Sequence, residues 1–110
     1  MEFVLEGNEL TVKPEGVIDS NNAEQVGKEI DDIRTNNKHN SLILDLAKLT
    51  YISSAGLRQI LKLKKTCDDF KICNVCNEVY DIFEMTGFSE MMTIEKAFRE
   101  SKKSDKNTPK

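Results

Sequence analysis

The sequence predicts a single α/β domain organised around a mixed β-sheet. Strand-like alternation at residues 2–6 and 9–13, and a nearly unbroken apolar run at 41–46, are interleaved with segments whose apolar residues recur at helical spacing. Strand, helix, strand, helix is the order that α/β and mixed sheets produce. A chain of 110 residues supports one core and no second domain.

The elements follow in order. EFVLE (2–6) and ELTVK (9–13) alternate polar and apolar residues around the turn signal Gly7-Asn8, which reads as a hairpin. Pro14 has no N–H for a ladder, so it ends the pattern or sets it at an edge. Gly16-Val17-Ile18-Asp19 forms a short strand. Ser20-Asn21-Asn22 is a helix-start cluster, with Glu24 three residues past Asn21 as in a capping box. Ala23, Val26, Ile30 and Ile33 then mark one buried face, and Thr35-Asn36-Asn37 ends the helix.

SLILDL (41–46) suits a strand covered on both faces. Asp45 interrupts it, and a carboxylate there needs a structural reason. Leu57, Ile60, Leu61 and Leu63 give the apolar flank of a helix over 54–66, with Lys64 inside that flank and its stem along the surface. DFKIC (69–73) is a further strand. NEVYDIFEM (77–85) is a short helix opened by Asn77, with Val79, Ile82 and Phe83 inward, and Thr86-Gly87 stops it. MMTI (91–94) reads as a last strand, and 95–103 as a charged helical segment anchored by Ala97 and Phe98. The domain is expected over residues 1–100, and 101–110 as a disordered charged tail.

Composition removes several function classes. The net charge of −3, with no basic stripe outside the tail, argues against nucleic-acid binding. No apolar run reaches the roughly 20 residues of a membrane span. The opening MEFVLEGNEL does not read as a secretion signal, so the cytoplasm is the expected compartment. Three cysteines, Cys67, Cys73 and Cys76, are an odd number and suggest reduced thiols. Cys73 and Cys76 form a Cys-x-x-Cys at a strand-to-helix junction, a redox placement. Small buried apolar residues are the commoner role, and a zinc site would need four ligands.

Catalytic signatures are sparse. No glycine-rich phosphate loop is present. The lone His39 lies in a polar loop without a nucleophile beside it. Most carboxylates share helix faces with lysines, which a solvated surface explains. No enzyme activity, cofactor, metal or small-molecule substrate is expected.

Ser53-Ser54, directly before a helix, stands apart. Helix capping is the ordinary role of such serines. The small residues Ala55-Gly56 suggest close approach of a partner backbone, and the helix start offers free N–H groups and a partial positive charge. A phosphate on Ser54 would add about −1.5 to −2 charges. At a helix start that charge is favoured by roughly 0.3–1 kcal/mol, so the fold survives, whereas a partner pressed on the same loop must desolvate it.

LILDLAKLTYISSAGLRQIL (42–61) resembles the signature of STAS domains, and especially the bacterial anti-sigma factor antagonists. The correspondence runs through Asp45, Tyr51-Ile52, Ser53, Ser54, Ala55, Gly56 and Leu57. Gly16-Val17-Ile18-Asp19 resembles the family's Gly-x-x-Asp strand end, and Ile82–Phe88 its third-helix segment. The resemblance implies a mixed sheet with helices mainly on one face. It also implies binding to an anti-sigma factor that is an ATP-dependent serine kinase, release on phosphorylation of Ser54, and restoration by a PP2C-type phosphatase. The expected partner face is Asp19, Ser53, Ser54, Ala55, Gly56, Leu57 and Arg58. Ser53 stands where many members have Asp, and a hydroxyl orients a neighbouring acceptor less strongly than a carboxylate. Two other readings remain: a STAS subunit of a transporter or stress complex in which Ser54 is never phosphorylated, and a small thiol or redox protein using Cys73 and Cys76.

Overall fold

A computed structural model of the chain describes residues 1–97. The tail at 101–110 and most of the helical segment expected over 95–103 lie outside the described residues. Among the described ones, seven strands and four helices follow the order β1 (Glu2–Glu6), β2 (Glu9–Lys13), β3 (Glu15–Ile18), α1 (Ala23–Asn36), β4 (Ser41–Asp45), β5 (Lys48–Ile52), α2 (Ser54–Thr66), β6 (Asp69–Val75), α3 (Asn77–Met85), α4 (Phe88–Met91) and β7 (Thr93–Lys96).

β1 and β2 form the expected hairpin, with Gly7 in the left-handed region at φ 61°. The main sheet has the order β1-β2-β4-β6-β7, and every pair beyond the hairpin is parallel. The sheet is therefore mixed, as the sequence predicts. Leu10, Leu42 and Phe70 align across it, as do Val12, Leu44 and Ile72, and all six are buried. Residues between them, such as Thr11, Ile43 and Lys71, are half-buried. One face thus carries the core and the other is partly open. This corrects the expectation that residues 41–46 are covered on both faces: Ile43 retains solvent exposure because the helices pack over the Leu42 and Leu44 side.

At two points the chain bends away from the sheet. Buried Pro14 interrupts the run from β2 into β3, and Leu46 does the same between β4 and β5. The detached pieces pair in parallel as a second, two-stranded sheet. β5 is an element that the sequence pattern does not announce. At the C-terminal end Thr93–Lys96 is a strand on the sheet edge, so residues 95 and 96 are extended rather than helical, and Met91 closes the short helix α4. Ala97 donates its N–H to Val75 O at 2.8 Å, which holds this edge. No helix among the described residues is long and apolar enough to cross a membrane.

Candidate partner-binding site

The parallel pairing of β3 with β5 decides where the serines go. Ile18 is aligned with Ile52, so the residues that follow, Asp19 and Ser53, leave the small sheet side by side. The Ser53 N–H donates to Ile18 O at 2.8 Å and fixes that adjacency. β5 passes through Ser53 alone into α2, and β3 reaches α1 through a four-residue turn at 19–22, so two helix starts, at Ala23 and Ser54, open from neighbouring strand ends.

Ser53 is the cap of α2. Its extended backbone (φ −91°, ψ 174°) aims Oγ back at the first turn, where it accepts from Gly56 N at 3.3 Å. Ser54 is the first helical residue and is exposed. The first turn of α2 carries no carboxylate, so its partial positive charge is not neutralised within the helix. Arg58 is exposed one turn further on, on the same helix face as Ser54.

Asp19 organises the other helix start. Its Oδ1 accepts from the N–H groups of Asn21 (2.9 Å) and Asn22 (3.2 Å). Asn22 returns the contact, with Oδ1 accepting from Asp19 N at 2.8 Å and Nδ2 donating to Val17 O at 2.8 Å. The expected capping box of Asn21 and Glu24 is replaced by this arrangement: the helix begins one residue later, with Asn22 at the cap position and no side-chain bond from it to the helix. Asp19 is thus a turn-forming carboxylate beside Ser53.

Gly56 and Leu57 are buried, which corrects the reading of Gly56 as clearance for a partner. A Cβ at Gly56 would lie 2.6 Å from Ile52 Cγ1 and 2.8 Å from Ile18 Cγ2. Its smallness lets α2 sit against β3 and β5 from within. Leu57 packs into the same core. The surface part of the expected face is therefore Ser54 and Arg58, with Asp19, Ser53 and Ala55 half-buried around them.

Two residues beside this face are absent from the expected partner face. Val17 and Tyr51, aligned across β3 and β5, are 43% and 47% exposed. The signal was present in the pairs Val17-Ile18 and Tyr51-Ile52: in a strand, two adjacent apolar residues point one inward and one outward.

The remaining candidates lie elsewhere. Asp45 closes the turn after β4, its Oδ1 accepting from Ala47 N (3.0 Å) and from Asn74 Nδ2 (3.1 Å). Cys73 is aligned with Asp45 in β6, and burial, reinforced by the Asp45 charge, pushes its thiol pKa up. That lowers the thiolate fraction on which redox chemistry depends. Cys76 caps α3 without a side-chain bond to it and donates Sγ–H to Leu49 O at 3.7 Å. All three cysteines are free thiols. His39 sits at the C-terminal end of α1, its Nδ1 2.7 Å from Asn37 O. Among the described residues no group of three or more His, Cys, Asp or Glu side chains is disposed to hold a metal ion.

The family model of the STAS domain matches residues 2–101. BtrV of Bordetella bronchiseptica, which bears the name of an anti-sigma factor antagonist, is 33% identical over 84 residues, covering 73% of this chain and 72% of the relative. A Thermotoga maritima crystal structure under the same family name superposes with a TM-score of 0.78 at 17% identity, over 96% of this chain and 94% of that one. A sulfate transporter family protein of Wolinella succinogenes gives 0.69 at 14% identity, over 94% and 88%. The chain belongs to the STAS domain family, among the anti-sigma factor antagonists.

Proposed function

We propose that the chain is a phosphorylation-controlled binding module of the anti-sigma factor antagonist kind. Unphosphorylated, the face around Ser54 docks on an anti-sigma factor that is also a serine kinase and so frees a sigma factor. Phosphoryl transfer to Ser54 ends the contact, and a PP2C-type phosphatase restores it. The module acts by binding, in the cytoplasm, and needs no cofactor.

The observation that carries the proposal is the placement of Ser54: exposed, at the first position of α2, beside a second helix start and the Asp19 turn. A phosphate there meets free N–H groups and the guanidinium of Arg58 at one turn's spacing, so the fold accommodates it. A partner seated on Ser54, Val17 and Tyr51 would have to bury the new charge. The likeness to the Wolinella protein supports the STAS fold alone at 14% identity and carries no transporter role.

The test pairs mass spectrometry with binding. The full chain is incubated with ATP and candidate anti-sigma factor kinases from the same organism, each assayed separately. A phosphoryl adduct confined to Ser54, with the Ser54→Ala variant bound to the kinase that adds it and the Ser54→Asp variant released, is the expected result. Equal affinity of the two variants, or an adduct elsewhere only, would leave the reading as a non-phosphorylated STAS subunit.

A further inference from the structure

The space between α1 and α2 is not closed. A cavity of about 350 Å3 lies there, in the size range of roughly 300–1,000 Å3 typical of small-molecule sites. Domain interiors ordinarily contain few voids larger than a water molecule. Leu44 and Leu46 line it from the sheet side, and Ile18 and Gly56 at the end nearest Ser54. Val26 and Ile30 of α1 face Ile60 and Leu63 of α2 across it, and the Gln59 side chain crosses to pack on Gly27 at one point of the lining. The charged lining comes from the later turns of both helices: Arg34, Lys62 and Lys65 against the single carboxylate of Asp31. Arg34 Nη1 donates to Thr66 Oγ1 at 2.8 Å and links the two helices at this end. That bond uses one of the guanidinium's five N–H groups, and a longer one from Nε (3.4 Å) goes to His39 Nε2.

We infer that this cavity binds an amphipathic carboxylate, with its alkyl chain between α1 and α2 and its head group held by Arg34, Lys62 and Lys65. The lining sets the chemistry. An apolar interior favours a hydrocarbon chain, and three cations against one acid favour an anionic head. No aromatic side chain lines the space, so nothing is offered to stack on a nucleobase. At the roughly 30 Å3 taken by one water-sized group, the space accepts a chain on the order of ten carbons. A partner helix, about 10 Å across, is too large for it.

The experiment is an amide-resolved NMR titration of the 15N-labelled full chain with sodium decanoate below its micelle concentration, alongside decan-1-ol. Saturable shifts at Val26, Ile30, Ile60 and Leu63 are expected. Binding should weaken about tenfold in the folded double variant Lys62→Glu/Lys65→Glu and for the uncharged alcohol, as loss of two solvent-exposed charge contacts predicts. Absence of saturation, shifts confined to the exposed strand β1, or equal affinity for the double variant would overturn the site. So would concentration-dependent dimerisation that moves the same amides without ligand, since a second copy would then be the occupant.

Discussion

The Ser53 N–H donates to Ile18 O at 2.8 Å, and this bond sets the two helix starts side by side. It extends the parallel pairing of β3 and β5 by one step beyond Ile18 and Ile52. Ile18 and Ile52 are buried, so the turn that presents Ser54 is fastened directly to the core. Modification of an exposed hydroxyl on so anchored a turn changes the surface without loosening what lies beneath.

The same anchoring makes Gly56 intolerant. Gly56→Ala brings a methyl group to 2.6 Å from Ile52 Cγ1 and 2.8 Å from Ile18 Cγ2, two side chains already packed in the core. Overpacking of this kind costs about 1–3 kcal/mol. The helix preference for Ala over Gly returns about 1 kcal/mol at most. The urea midpoint should therefore fall, corresponding to a net loss of up to about 2 kcal/mol. A midpoint at or above that of the native chain would show that α2 can lift off the two isoleucines.

Ser53 offers a graded test of the cap. Ser53→Ala removes the acceptor of the Gly56 N–H and should cost about 0.5–1 kcal/mol, the lower part of the usual range because the bond is long at 3.3 Å. Ser53→Asp keeps an acceptor and adds a negative charge at a helix start, a gain of about 0.3–1 kcal/mol at low salt. Thermal melts should rank the chains Asp, Ser, Ala from most to least stable. Equal melts for Ser and Ala would remove the cap from the account.

Much of this architecture was legible in the sequence because burial and periodicity agree. β2, α1, α2, β6 and α3 each carry their apolar residues at the spacing their geometry demands; β1 is exposed along its whole length and was legible through its turn, Gly7-Asn8. β5 was not legible for a definite reason. The β3–β5 register shifts between Gly16 and Val17, with Leu49 opposite Gly16 and Tyr51 opposite Val17, so Thr50 is an extra residue. The buried positions Leu49 and Ile52 then fall three apart, and the two-residue period of a strand is lost. The serine pair was visible as a helix start. The neighbours Val17 and Tyr51 emerged only once that bulged pairing placed them together. The start of α1 was misread because Asn22 spends its side chain on Asp19 and Val17 rather than on the helix.

Cys73 should be slow to react. Burial and the neighbouring Asp45 charge raise its pKa, so less thiolate is present near neutral pH. Iodoacetamide labelling mapped by mass spectrometry should modify Cys73 more slowly in the native chain than in urea at pH 8. The linkage has a fixed sign. A pKa raised by folding stabilises the native state fully below the ordinary thiol pKa, and that contribution is lost as pH rises through the raised value. Cys73→Ser should therefore flatten the alkaline decline in stability. Native labelling as fast as in urea would refute the shift and reopen a thiol role.

Ser54→Asp separates the fold from the interface. The new carboxylate sits at the first position of α2, exposed, where no acid in the first turn competes for the helix charge. Its effect on stability should be neutral to favourable, by about 0.3–1 kcal/mol at low salt, and should shrink as salt screens it. Partner affinity should move the other way. Desolvating one unpaired charge in an interface costs at least about 1.4 kcal/mol, which is a tenfold loss in affinity. Arg58 tests the balance between the two. If its guanidinium holds the carboxylate one turn away, Arg58→Ala in the Ser54→Asp background should lower stability by about 0.2–0.5 kcal/mol, the usual worth of such a helix pair. A Ser54→Asp chain that melts well below the native one would mean that the first turn of α2 cannot carry an anion, and a switch that spares the fold would have no physical basis here.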